Sequence, residues 1–108
     1  MARYVNVIVS SKPPEMINAI IDAFMKQEKF EYVTYKGERV FKKGSGLMTA
    51  PQFIKIGIAG NQVQIEAWIK NALLPGIYYG EMGLTGMAGF AIKKVLKTRV
   101  ETLENQLR

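Results

Sequence analysis

The chain has 108 residues, 48% of them hydrophobic and 22% charged, with a net charge of +6 at neutral pH. Those totals fit one domain, residues 1–108, with a core of its own. Cysteine and histidine are both absent, which excludes disulfide staples, Cys/His zinc sites and serine–histidine or cysteine–histidine catalysis.

Met1-Ala2-Arg3 leads straight into a strand-like run without a cleavage signature, so a cytoplasmic protein is expected. Arg3 to Val9 is rich in β-branched residues and reads as a strand. Ser10 and Ser11 then offer helix caps, and Pro13, Pro14 and Glu15 suit a first turn. The spacing predicts a helix to about Lys29. Its buried stripe is Ile17, Ile20, Ile21 and Phe24, with Asp22, Lys26 and Lys29 in water.

Phe30 to Lys43 reads as a hairpin about Lys36-Gly37. That turn pairs Tyr32 with Phe41, Val33 with Val40 and Glu31 with Lys42. Gly44 to Pro51 is a connecting loop. Lys42 and Lys43 precede its glycines, but no Lys follows Gly46 as a phosphate-binding loop requires.

Gln52 to Ala59 and Gln62 to Lys70 flank Gly60-Asn61, a two-residue turn with Gly first as type II′ prefers. Counting outward puts Ile58, Val63, Ile56, Ile65, Ile54 and Ala67 on one face. The other receives Gly57 with Gln64, Lys55 with Glu66 and Phe53 with Trp68. A slip of one residue would wet the isoleucines, so the register is well specified.

The stretch after Ala72 holds five of the ten glycines, four of them at a spacing of three: Gly80, Gly83, Gly86 and Gly89. It reads as a strand over Ile77 to Leu84 that bends into a helix, the glycines freeing the backbone and allowing close packing. Pro75, the glycines and the central Glu81 argue against a membrane span over residues 71–92. From about Gly86 the period becomes helical. Ile92, Val95, Leu96, Val100, Leu103 and Leu107 line one face; Lys93, Lys94, Lys97, Glu101, Glu104 and Arg108 lie elsewhere, with Lys97–Glu101 and Glu104–Arg108 spaced as solvated ion pairs.

The expected architecture is α+β, of order β-α-β(4–5)-α, with an antiparallel sheet covered on one face by the C-terminal helix and the first strand beside the last. This order resembles the TATA-binding-protein-like and helix-grip arrangements, which implies a curved sheet around that helix. The stretches YKGERVFKKGSG and LLPG…YYGEMGL…AIKK also resemble a domain of uncharacterised bacterial proteins, some bearing a zinc ribbon. This chain has no Cys for such a ribbon, and neither resemblance implies an activity.

Three functions follow for weighing. The first is a non-enzymatic, self-associating interaction module whose binding face is Phe53, Lys55, Trp68 and Lys70, aromatics beside lysines. That face also suits nucleic acid, but Glu66 within it would repel phosphate. The second is an apolar-ligand site between sheet and C-terminal helix, lined by Tyr78, Met82, Met87 and Phe90. The third is an enzyme built on Glu66 or Glu81. A single acid without a partner is thin support, so no catalytic residue, cofactor or metal is expected.

Overall fold

A computed structural model describes residues 3–44, 51–74, 77–82 and 90–108, and their side chains outside 71–92. The elements run β1 (Tyr4–Val9), α1 (Pro14–Gln27), β2 (Glu31–Tyr35), β3 (Glu38–Lys43), β4 (Gln52–Ala59), β5 (Gln62–Leu74), β6 (Ile77–Met82) and α2 (Phe90–Leu107). The six strands form one antiparallel sheet, ordered β1-β5-β4-β3-β2, with β6 also on β5. This is an α+β fold in which both helices pack on one face of the sheet.

Turn chemistry sets both central hairpins. Lys36 and Gly37 both take positive φ, 49° and 81°, as a two-residue turn of the primed kind requires. Tyr32 stands opposite Phe41, Val33 opposite Val40 and Glu31 opposite Lys42, all in the expected register. At the second turn Gly60 has φ 63°, and Ile58–Val63, Ile56–Ile65, Ile54–Ala67 and Phe53–Trp68 pair as predicted.

The first strand departs from expectation. It lies against β5, Tyr4 opposite Ala67 and Val9 opposite Gln62, rather than against the last strand. The cause is the length of β5, 13 residues. Ile69 pairs with Gln52 on one flank and Met82 on the other, so β6 takes the flank opposite β4. The first half of that flank is left for β1.

The main core joins Ile8, Ile54, Val63, Ile65, Ala67 and Ile69 of the sheet to Ile17, Ile21, Phe24 and Met25 of α1 and Leu96, Val100, Leu103 and Leu107 of α2. Ile20 packs only partly against it, and Ile58 is well exposed where the helices no longer cover the sheet. No helix among the described residues is long and apolar enough to cross a membrane.

Helix α1 is not capped by a serine. Pro13 holds the cap position, while Ser10 Oγ accepts from the Lys12 N–H at 3.0 Å, one turn too early. The other end closes in a Schellman motif: Phe30 N–H donates to Met25 O at 2.9 Å and Lys29 N–H to Lys26 O at 3.2 Å. Lys29 takes φ 63°, a left-handed conformation usually given to glycine. Lys43 Nζ donates to the Glu28 carbonyl at 2.6 Å and Arg99 Nε to its carboxylate at 2.8 Å, tying that end to β3 and α2.

Helix α2 buries Leu96, Val100, Leu103 and Leu107 of its expected face, with departures at its margins. Val95 is exposed, whereas Lys93 and Glu104 are buried. Glu104 therefore does not pair with Arg108 in water. Its Oε2 accepts from the Tyr4 hydroxyl at 2.6 Å and from Asn6 Nδ2 at 3.0 Å, locking β1 beneath the helix. Burial, then this carboxylate, pushes the Tyr4 hydroxyl pKa up to about 12.

Candidate functional site on the open sheet face

Strand alternation divides the side chains between the two faces. On β1, Tyr4, Asn6 and Ile8 turn to the helices, which sends Val5, Val7 and Val9 to the other side. The registers carry Gln62, Gln64, Glu66, Trp68 and Lys70 of β5, Phe53, Lys55 and Gly57 of β4, Glu38, Val40 and Lys42 of β3, and Val33 and Tyr35 of β2 to that same open face. The predicted set Phe53, Lys55, Trp68 and Lys70 is thus brought together.

One half of the face is sealed. Trp68 and Phe53 are only 0% and 1% exposed and form, with Val40, a second small core. Their rings stack with centroids 5.4 Å apart and planes within 4°. Tyr35 tilts against both, at 4.5 Å from Phe53 and 5.9 Å from Trp68. The Arg3 guanidinium lies 3.6 Å from the Trp68 ring centroid, and Lys70 Nζ lies 5.2 Å from that of Tyr35. Neither Trp68 nor Phe53 presents a bare ring on which a base would stack.

Charges roof these rings. Arg3 grips Glu38 through both guanidinium nitrogens, Nη2–Oε2 at 2.9 Å and Nη1–Oε1 at 3.2 Å, and reaches Glu66 Oε1 at 3.2 Å. Lys55 Nζ donates to Glu38 Oε1 at 2.8 Å. Arg3, then Lys55, holds the Glu38 carboxyl at about 2, and Glu38 in turn raises the Lys55 ammonium. Glu66 is accordingly an ion-pair partner. Arg3 and Tyr35 were not singled out from the sequence, although the Tyr35–Glu38 pairing beside Phe53 was a usable signal for the tyrosine.

The other half is open and apolar. Val5, Val7 and Val9 are 54%, 49% and 64% exposed in a row on an edge strand. Beside them lies a depression of about 250 Å³ lined by Val7, Gly57, Ile58, Ala59, Gln62 and Gln64. A Cβ at Gly57 would meet nothing within 4 Å, so this glycine leaves the floor low.

A separate cleft of about 340 Å³ opens between α1 and the sheet, lined by Ile21, Asp22, Tyr32, Phe41, Ile56 and Ile58. The side chains of Tyr78, Met82, Phe90 and Glu81, and all of Met87, lie outside the described residues, as do Gly83, Gly86 and Gly89. Among the described residues no group of three or more Asp or Glu could hold a metal ion.

No family model matches the chain, and no curated protein or solved structure is significantly similar to it.

Proposed function

We propose that the protein is a non-enzymatic, cytoplasmic interaction module that self-associates through the open half of its sheet face. The observation that carries this reading is the valine row of β1 beside the depression floored by Gly57. A ridge next to a hollow on one surface is self-complementary under a two-fold axis, as an isologous contact requires. Two sheets meeting this way pack like the layers of a sandwich.

Magnitudes favour a weak dimer. Covering half-exposed valines yields about 1 kcal/mol each, or about 6 kcal/mol gross over both copies. Association costs about 4–15 kcal/mol in lost freedom. The contact therefore forms in a concentration-dependent way.

Light scattering on the eluted protein over a range of concentrations tests this. The mass should rise toward twice 12.1 kDa at high micromolar protein, and Val7→Lys should hold it at the monomer with an unchanged circular dichroism spectrum. A wild-type protein monomeric throughout, or a Val7→Lys variant that still dimerises, would overturn the proposal.

A second reading is a small apolar ligand, for which the cleft between α1 and the sheet is a candidate site beside the one expected at the C-terminal helix. The support is the exposed Tyr32 and Ile58 at its mouth. A nucleic-acid partner has less support, because the stacking rings are sealed and two carboxylates share their roof.

A further inference from the structure

We infer that the sealed half of the open face is a guanidinium receptor, occupied in cis by the chain's own Arg3, which accepts an arginine side chain from another molecule when Arg3 is withdrawn. This stands apart from self-association, since it uses neither the valine row nor the hollow beside it.

Three features define the receptor. The first is its chemistry. A planar cation is stacked 3.6 Å from the Trp68 ring centroid while its donor fork spans both oxygens of Glu38 and one of Glu66. A fork held edge-on by carboxylates and face-on by an indole suits a guanidinium and not an ammonium, which is a compact point charge.

The second is that the receptor is held in place without its occupant. Trp68 is stacked on Phe53 and flanked by Tyr35. Glu38 retains Lys55, and Glu66 stands opposite Lys55 in the β4–β5 ladder. The rings and carboxylates sit on four hydrogen-bonded strands, β2 to β5, so they need not collapse when Arg3 leaves. The buried Trp68 Nε1 has no hydrogen-bond partner among the described residues, leaving a donor unused beside the site.

The third is the nature of the occupant. Arg3 precedes β1, which begins at Tyr4. Its side chain can therefore be withdrawn with the β1–β5 pairing from Tyr4 to Val9 kept. That side chain is only 18% exposed, held between the carboxylates and the indole. A tethered group of this kind acts at an effective concentration on the order of millimolar, which makes Arg3 a built-in competitor.

Arg3→Ala empties the receptor, and Trp68, the only tryptophan in the chain, reports on it. The variant should melt lower than wild type and emit further to the red. Titration with arginine amide should saturably reverse both changes, lysine amide at equal concentration should not, and wild type should respond to neither. A parallel titration with the peptide Ala-Arg-Tyr-Val-amide separates sources: tighter binding than arginine amide marks a strand-borne arginine as the ligand, equal binding a free one. Should Arg3→Ala fail to fold, Arg3→Lys retains the charge and stem, and the same titrations apply to it. A folded variant that shows no saturable response to arginine amide, or responds equally to lysine amide, overturns the inference.

Discussion

The lysine that ends the first helix gives the sharpest test of the local physics, because one substitution should act with opposite signs three residues apart. Lys29 holds φ 63°, where an L-residue is strained by about 1–2 kcal/mol. Glycine relieves that strain but loses about 0.4–1 kcal/mol more backbone entropy on folding. The difference predicts that Lys29→Gly stabilises the protein by about 0.5–1 kcal/mol, with the Phe30–Met25 and Lys29–Lys26 hydrogen bonds retained. Lys26 is exposed too, but it sits within the helix, so Lys26→Gly should cost about 0.7–1 kcal/mol. In a domain of this size the pair should separate by about 5–15 °C in Tm, one above wild type and one below. Thermal melts followed by circular dichroism, with urea midpoints as a check, make the measurement. A Lys29→Gly protein destabilised as much as Lys26→Gly would refute the reasoning.

Two further predictions concern the charges. Glu104→Leu should cost about 1–3 kcal/mol in urea unfolding, since it leaves the half-buried Tyr4 hydroxyl and Asn6 amide without their acceptor; Glu104→Gln, which keeps an acceptor, should cost less than half of that. Stability should also fall at both extremes of pH. Glu38 is held near 2 against an ordinary 4.5, so the unfolded chain takes up its proton first and stability declines as pH drops from about 5 toward 2. Tyr4 is raised to about 12 from 10.0. Here the unfolded chain loses its proton first, so stability declines as pH rises from about 10 to 12. Urea midpoints across pH should show both slopes, the acid one weakened in Glu38→Gln and the alkaline one in Tyr4→Phe.

What was legible in the sequence was local. Gly60-Asn61 and Lys36-Gly37 fix two turns, and period-two alternation then fixes every partner in both hairpins. What escaped was settled by partners distant in the chain. Glu104 reads as a solvated residue four from Arg108, yet Tyr4 and Asn6, 100 and 98 positions away in the chain, draw it inward and turn Val95 to solvent. The pairing of β1 depended on how far β5 runs, and no breaker marks its course before Pro75. Arg3 was not singled out because nothing nearby in sequence shows the two carboxylates and the indole that receive it. The hairpin register alone places Phe53, Lys55, Trp68 and Lys70 on one face, but the depth to which the rings are sealed follows from Tyr35 and Val40 on neighbouring strands.

The long fifth strand has a consequence for assembly of the chain. Its neighbours β4 and β6 reach it through short reversals, whereas β1 must return across more than fifty intervening residues, so its docking closes by far the largest loop in the sheet. Until that closure, the starting half of β5 offers an unfilled rail of backbone donors and acceptors, and Tyr4–Val9 of another nascent copy is the segment shaped to occupy it.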